Sequence, residues 1–108
     1  MEDVAEVFSR HGEVLALEVD DEFLEHLADR AVYSKHRVTA TEVLEVHAGA
    51  PKYFENAGRH RAAIVMVGPT VAGRFLCVPI EPTGRIGRWR PVTAFEANAH
   101  HKERYRRG

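Results

Sequence analysis

Residues 62–67, Ala-Ala-Ile-Val-Met-Val, carry no polar side chain. A run of that length with two apolar faces reads as a central strand covered on both sides. Segments 52–56, 61–67, 74–80 and 88–95 read as strands separated by turn residues. Gly68-Pro69 and Gly73 bracket one reversal, and Pro82-Thr83-Gly84 with Gly87 bracket another. Connections that short join antiparallel neighbours. The strands around Arg61, Arg74 and Arg90 are therefore expected side by side. Pro79 is the weak point of the third strand, because it has no N–H to give to a ladder.

The first half is mostly helical in its patterning. Asp3 with Glu6 resembles a capping box, and Val4, Val7 and Phe8 share a face, which predicts a helix over 4–11 closed by Gly12. Leu15, Leu17 and Val19 then alternate with Ala16 and Glu18 at the period of a strand with one buried face. Asp20 caps a helix running from Asp21 to about Ser34, with an apolar stripe of Leu24, Leu27, Ala28 and Ala31. Thr39-Ala40-Thr41-Glu42 is a capping box, with Val38 and Val43 placed to staple it; Gly49 and Pro51 stop that helix. Asn98 caps a last helix. A chain of 108 residues is one domain. The expected fold is α+β: a mixed or antiparallel sheet of about five strands, helices 21–34 and 40–48 packed on one face, and a C-terminal helix. Residues 1–13 read as a helical extension ahead of a domain at 14–108.

Charge is distributed unevenly. Residues 1–30 hold ten acidic and two basic side chains, whereas residues 31–108 hold six acidic and thirteen basic ones, so a net charge of −1 hides a dipolar chain. A basic lobe suggests a phosphate-bearing or acidic partner, and the acidic half argues against indiscriminate nucleic-acid binding. No apolar run approaches the ~18 residues of a membrane helix. The N-terminus lacks a basic region followed by an apolar stretch, so no signal peptide is expected and the location reads as cytoplasmic. The single cysteine, Cys77, sits in an apolar run and reads as a small core residue.

Several residues could carry chemistry. Lys35-His36 falls at the junction of two helices, where a loop can present a charge and a proton-transfer group together. Arg59-His60-Arg61 enters the central strand. Arg88, Arg90 and Glu96 share the parity of the last strand, while Trp89 lies opposite with Phe95 and reads as core. On the last helix His100, Arg104 and Arg107 stack, His101 pairs with Tyr105, and Glu103 to Arg107 is an i,i+4 ion pair. Cleaving RNA without a metal requires a base for the 2′-hydroxyl, an acid for the 5′-oxygen and cations around phosphorus. His36, His60, His101 and Glu96 are candidate bases or acids; Lys35, Arg61 and Arg90 are candidate charge stabilisers. No two of the seven histidines recur at i,i+3 or i,i+4, and one cysteine makes no thiolate zinc knuckle. Phosphate-binding glycine loops and nucleophile elbows are also missing, which leaves cofactor-free chemistry or plain binding.

Taken together, Val19-Asp20, the junction Lys35-His36-Arg37-Val38-Thr39 with Glu42, the stretch from Arg61 to Gly68, Arg90-Pro91-Val92-Thr93-Ala94 and Lys102-Glu103-Arg104-Tyr105 resemble the BrnT family of ribonuclease toxins. Those toxins belong to bacterial type II toxin–antitoxin pairs and resemble RelE-like toxins in fold. The likeness covers about residues 17–106. Arg37 stands where the family has glycine, and Phe95-Glu96 stands where it usually carries basic residues. The resemblance implies a metal-independent endoribonuclease with Lys35, His36, Arg61 and Arg90 as catalytic residues. It also implies His60, Arg88, Glu96, His101 and Arg104 along the RNA, with no cofactor. Its partners would be RNA and a cognate antitoxin, a small DNA-binding protein covering the basic lobe, with a homodimer as a further arrangement. The competing reading is a toxin-like domain without catalysis that serves as a protein-binding or regulatory module.

Overall fold

The computed structural model describes residues 3–33, 37–56, 62 and 64–108. Helix α1 (Val4–His11) and strand β1 (Ala16–Leu17) precede helices α2 (Asp21–Tyr33) and α3 (Ala40–Ala48). Strands β2 (Lys52–Glu55), β3 (Ile64–Pro69), β4 (Phe75–Pro82), β5 (Arg88–Pro91) and β6 (Phe95–Glu96) follow, and helix α4 (Ala99–Arg107) closes the chain. The sheet runs β1-β5-β4-β3-β2, with β6 also paired to β4. β1 is parallel to β5 and every other pairing is antiparallel, so the α+β fold with a mixed sheet is realised.

The helix starts are set by the anticipated caps. The Asp3 carboxylate accepts from Glu6 N at 2.8 Å, Asp20 from Phe23 N at 2.9 Å, and Asn98 from His101 N at 2.9 Å. Thr39 and Glu42 form the full reciprocal capping box. Each cap occupies backbone N–H groups that a helix cannot satisfy internally.

Alternation along the sheet divides the core in two. Ile64, Met66, Leu76, Val78, Ile80 and Trp89 point to one face, where Val7 of α1, Phe23 and Leu27 of α2, and Val43 and Val46 of α3 cover them. Val65, Val67 and Cys77 point to the other face, where Phe75, Phe95 and Tyr105 of α4 complete a smaller cluster. The run around Ile64–Val67 is thus buried on both sides, as its composition requires. Helix α1 is packed into the larger cluster: Val7 is 3% exposed, and the Phe8 ring meets Tyr53 and Trp89 edge-on at 5.4 and 5.9 Å. The Trp89 indole N–H donates to the Gly12 carbonyl at 3.2 Å. Gly12 approaches Gly87 so closely that an added Cβ would lie 2.7 Å from the Gly87 nitrogen. Both glycines have positive φ, 80° and 78°, so the contact requires glycine on conformational and steric grounds.

Three local expectations are corrected. The strand anticipated at 88–95 is broken into β5 and β6. In the β4·β5 ladder Ile80 faces Pro91, and in the β4·β6 ladder Cys77 faces Phe95. Between those pairs, Val78 and Pro79 oppose Val92, Thr93 and Ala94, which is a one-residue bulge. It falls opposite Pro79, which cannot donate; only its carbonyl is used, by Val92 N at 2.8 Å. The extra residue reverses parity, so Trp89 and Phe95 occupy opposite faces instead of sharing one. The second correction concerns α2. Phe23 and Leu27 enter the core while Leu24 is 44% exposed, so the buried stripe is rotated by one position from the expected one. Third, β1 is only two residues long and Leu15 lies outside the core, 76% exposed and next to Gly87.

Candidate functional site

The bulge and the rotated helix together make a cleft. It has a volume of about 310 Å³ and lies between α2 and the β5–β6 segment. Asp20, His26, Arg30, Arg90 and Thr93 supply polar groups to its walls, with Phe23 and Val92 among the apolar ones. The His26 Nε2 lies 2.8 Å from Thr93 Oγ1, and Arg30 donates to the same oxygen at 3.4 Å. His26 and Arg30 are one turn apart, so turning Phe23 and Leu27 into the core carries both toward Thr93. Bulges re-aim side chains in this way.

Arg90 forms the opposite side. Its Nε donates to Glu81 Oε1 at 2.7 Å on the neighbouring strand, and its Nη1 is 3.9 Å from Asp20 Oδ2. Glu81 is nearly buried, so the carboxylate side of this pair is well shielded from solvent. Arg88, two residues earlier, donates to Glu18 at 2.8 Å. The acidic first third therefore folds back onto the basic last third through Glu18–Arg88 and Asp20–Arg90. Part of the charge asymmetry seen along the chain is cancelled in space.

The other candidates lie elsewhere. Arg104 of α4 donates to Glu55 at 3.4 Å and lies 4.4 Å from the Phe54 ring centroid, on β2. β2 and β5 are three places apart in the sheet, roughly 14 Å at ordinary strand spacing, so these interactions hold Arg104 and Arg90 in different regions. His101 packs against Cys77, with Nε2 3.8 Å from Sγ, and its buried Nδ1 has no hydrogen-bond partner. Burial, then the neighbouring His100 and Arg104, lowers its pKa, which favours the neutral ring. Burial likewise pushes the Cys77 thiol up to about 12, so it is not a ready nucleophile. Glu96 accepts from Arg74 Nε at 2.8 Å. Lys35, His36, His60 and Arg61 lie outside the described residues.

Three of the residues that shape this region escaped sequence reasoning. His26 and Arg30 give an i,i+4 signal on α2, but it was hidden by the misplaced apolar stripe. Arg74 gave no local signal at all, because its partners come from three distant segments. It donates to Glu96, to the Arg37 carbonyl at 2.6 Å and to Glu42 at 3.2 Å, tying the start of α3 to the sheet. Among the described residues no group of three or more His, Cys, Asp or Glu side chains could hold a metal ion, and no helix is long and apolar enough to cross a membrane. Comparison with protein-family models, with curated proteins and with solved structures finds no match to this chain.

Proposed function

We propose that this chain is a metal-independent endoribonuclease of the toxin kind, cytoplasmic, which cleaves RNA by attack of a ribose 2′-hydroxyl on the adjacent phosphate. The observation that carries the reading is the cleft beside the bulge, where Arg30 and Arg90 line one depression with an imidazole and a hydroxyl. Guanidinium groups meet phosphate oxygens in a paired geometry and offset the charge that accumulates on phosphorus. Lys35, His36 and Arg61 belong to the proposal through the resemblance to BrnT toxins, as does an antitoxin partner covering the basic surface. Arg88, Glu96, His101 and Arg104 would serve RNA contacts outside the cleft.

A second reading is favoured by a different observation. Arg88, Arg90 and Arg104 each already hold a carboxylate, at 2.8, 2.7 and 3.4 Å. A toxin-like domain whose arginines are spent on internal pairs would suit a protein-binding or regulatory role. The two readings separate in one experiment. Purified protein is incubated with a labelled RNA in EDTA at several pH values, beside Arg90→Ala. Cleavage by the parent chain, reduced tenfold or more in the variant, supports the enzyme; that loss corresponds to about 1.4 kcal/mol or more of transition-state stabilisation. Intact RNA throughout, with harmless expression in cells, supports the binding module.

A further inference from the structure

We infer that His26 is the proton-transfer residue of the cleft, with Thr93 and Arg30 as positioning residues. The inference rests on the endoribonuclease reading and deepens it by naming the group that takes the proton from the ribose.

Three observations lead to His26. First, it already faces an alcohol, since its Nε2 is 2.8 Å from Thr93 Oγ1. Arg30 has only donors to offer, so Thr93 Oγ1 accepts from Arg30, and its second lone pair and its own proton let it meet either tautomer of the imidazole. In the tautomer with its proton on Nδ1, the ring presents an accepting nitrogen to a hydroxyl, the relation a general base has to a 2′-hydroxyl. Second, Arg90 lies in the same cleft, where a phosphate adjoining that ribose would be held. Third, the other described histidines are committed elsewhere. His47 Nε2 is bonded to the Val14 carbonyl at 2.9 Å, His11 packs on Trp89, and His100 and His101 belong to α4. Among the described histidines, His26 alone lines the cleft. The charged groups around that cleft are Asp20 and Glu22 at the start of α2, Arg30 one turn beyond His26, and Arg90 of β5.

The chemistry balances without a cofactor. The 2′-hydroxyl displaces the Thr93 hydroxyl at His26 Nε2 and gives that nitrogen its proton. The 2′-oxygen forms a bond to phosphorus as the bond from phosphorus to the 5′-oxygen breaks. The departing 5′-oxygen takes a proton from solvent, and the imidazolium returns its proton to solvent. The products are a 2′,3′-cyclic phosphate and a 5′-hydroxyl. Arg30 and Thr93 act through His26, by holding its Nε2 edge at the Thr93 hydroxyl.

The test uses the full chain, a labelled RNA oligonucleotide and EDTA. His26→Gln keeps a side chain able to bond Thr93 but unable to exchange a proton. It should lower kcat by about 100-fold or more while KM stays within about twofold. His26→Ala should be as slow, and free imidazole should restore about tenfold of its rate, which a merely structural role would not permit. If His26→Gln retains kcat within about threefold while Arg90→Ala is impaired, the assignment of His26 is overturned and the enzyme reading stands. If the parent chain leaves RNA intact, the enzyme reading falls and His26 falls with it.

Discussion

Replacing Trp89 by phenylalanine tests whether α1 is part of the folding unit. Trp89 is fully buried, its ring meets Phe8 and His11 edge-on, and its N–H is bonded to Gly12. Phenylalanine removes ring volume that the close-packed surroundings cannot refill, at a cost of about 1–2 kcal/mol. It also leaves the Gly12 carbonyl without its donor, which costs about 1 kcal/mol more. The expected loss is about 2–3 kcal/mol, or a fall in Tm of roughly 10 °C for a domain of this size. Thermal and urea unfolding by circular dichroism would measure it. A double-mutant cycle with Phe8→Ala should give a coupling of about 0.5–1.5 kcal/mol, the value of an edge-to-face pair. A Tm shift below about 3 °C with no measurable coupling would refute the claim that α1 closes the core over Trp89.

Three further outcomes are expected. Glu96→Arg should destabilise by about 1 kcal/mol in urea, because it replaces a partly exposed ion pair with two facing guanidiniums beside Arg74; equal or greater stability would refute this. Stability should fall as pH rises. Cys77 is raised from 9.0 to about 12 and Tyr53 from 10.0 to about 12, both chiefly by burial, so the unfolded chain ionises first across that window; urea midpoints at pH 8 and 10.5, with Cys77→Val and Tyr53→Phe flattening the drop, would check it. On the acid side, His101 is lowered from 6.5 by burial, His100 and Arg104, so its contribution is present above 6.5 and is lost as pH falls below that; His101→Phe should reduce that slope in the same assay.

Caps and turns made much of this fold legible. The starts of α1, α2, α3 and α4 follow from Asp3, Asp20, Thr39 and Asn98, because a capping bond is local and is decided by residues three apart. The strand order around Ile64, Phe75 and Arg88 follows from short reversals. The bulge was not legible. Pro79 signals that a ladder must weaken, but which residue of the partner strand is extruded depends on the cross-strand register. The rotation of α2 was equally hidden, since Phe23 and Leu24 are both apolar and only the shape of the core selects between them. These two undetermined features are the ones that build the cleft, so His26, Arg30 and Thr93 were out of reach of periodicity. Arg88 and Arg90 were legible as basic residues on the last strand, but not as members of ion pairs with Glu18, Glu81 and Asp20.

Those pairs bear on whether an anionic substrate can enter. Arg88–Glu18 has side chains 48% and 36% exposed, so it contributes at most about 1 kcal/mol and a phosphate can replace the carboxylate at little cost. Arg90–Glu81 differs, because Glu81 is only 12% exposed and loses a shielded charge partner at 2.7 Å if the guanidinium moves away. Arg90 has no need to move. Its Nε holds Glu81, while its Nη1 is 3.9 Å from Asp20, beyond hydrogen-bond length, and both Arg90 and Asp20 line the cleft. One edge of the guanidinium is therefore anchored, and the other keeps a loose contact that a phosphate oxygen can take over. An anchored arginine loses less side-chain entropy on binding than a free one. Glu81 then orients Arg90 rather than disarming it, and Asp20 is the carboxylate that an anionic substrate would have to displace.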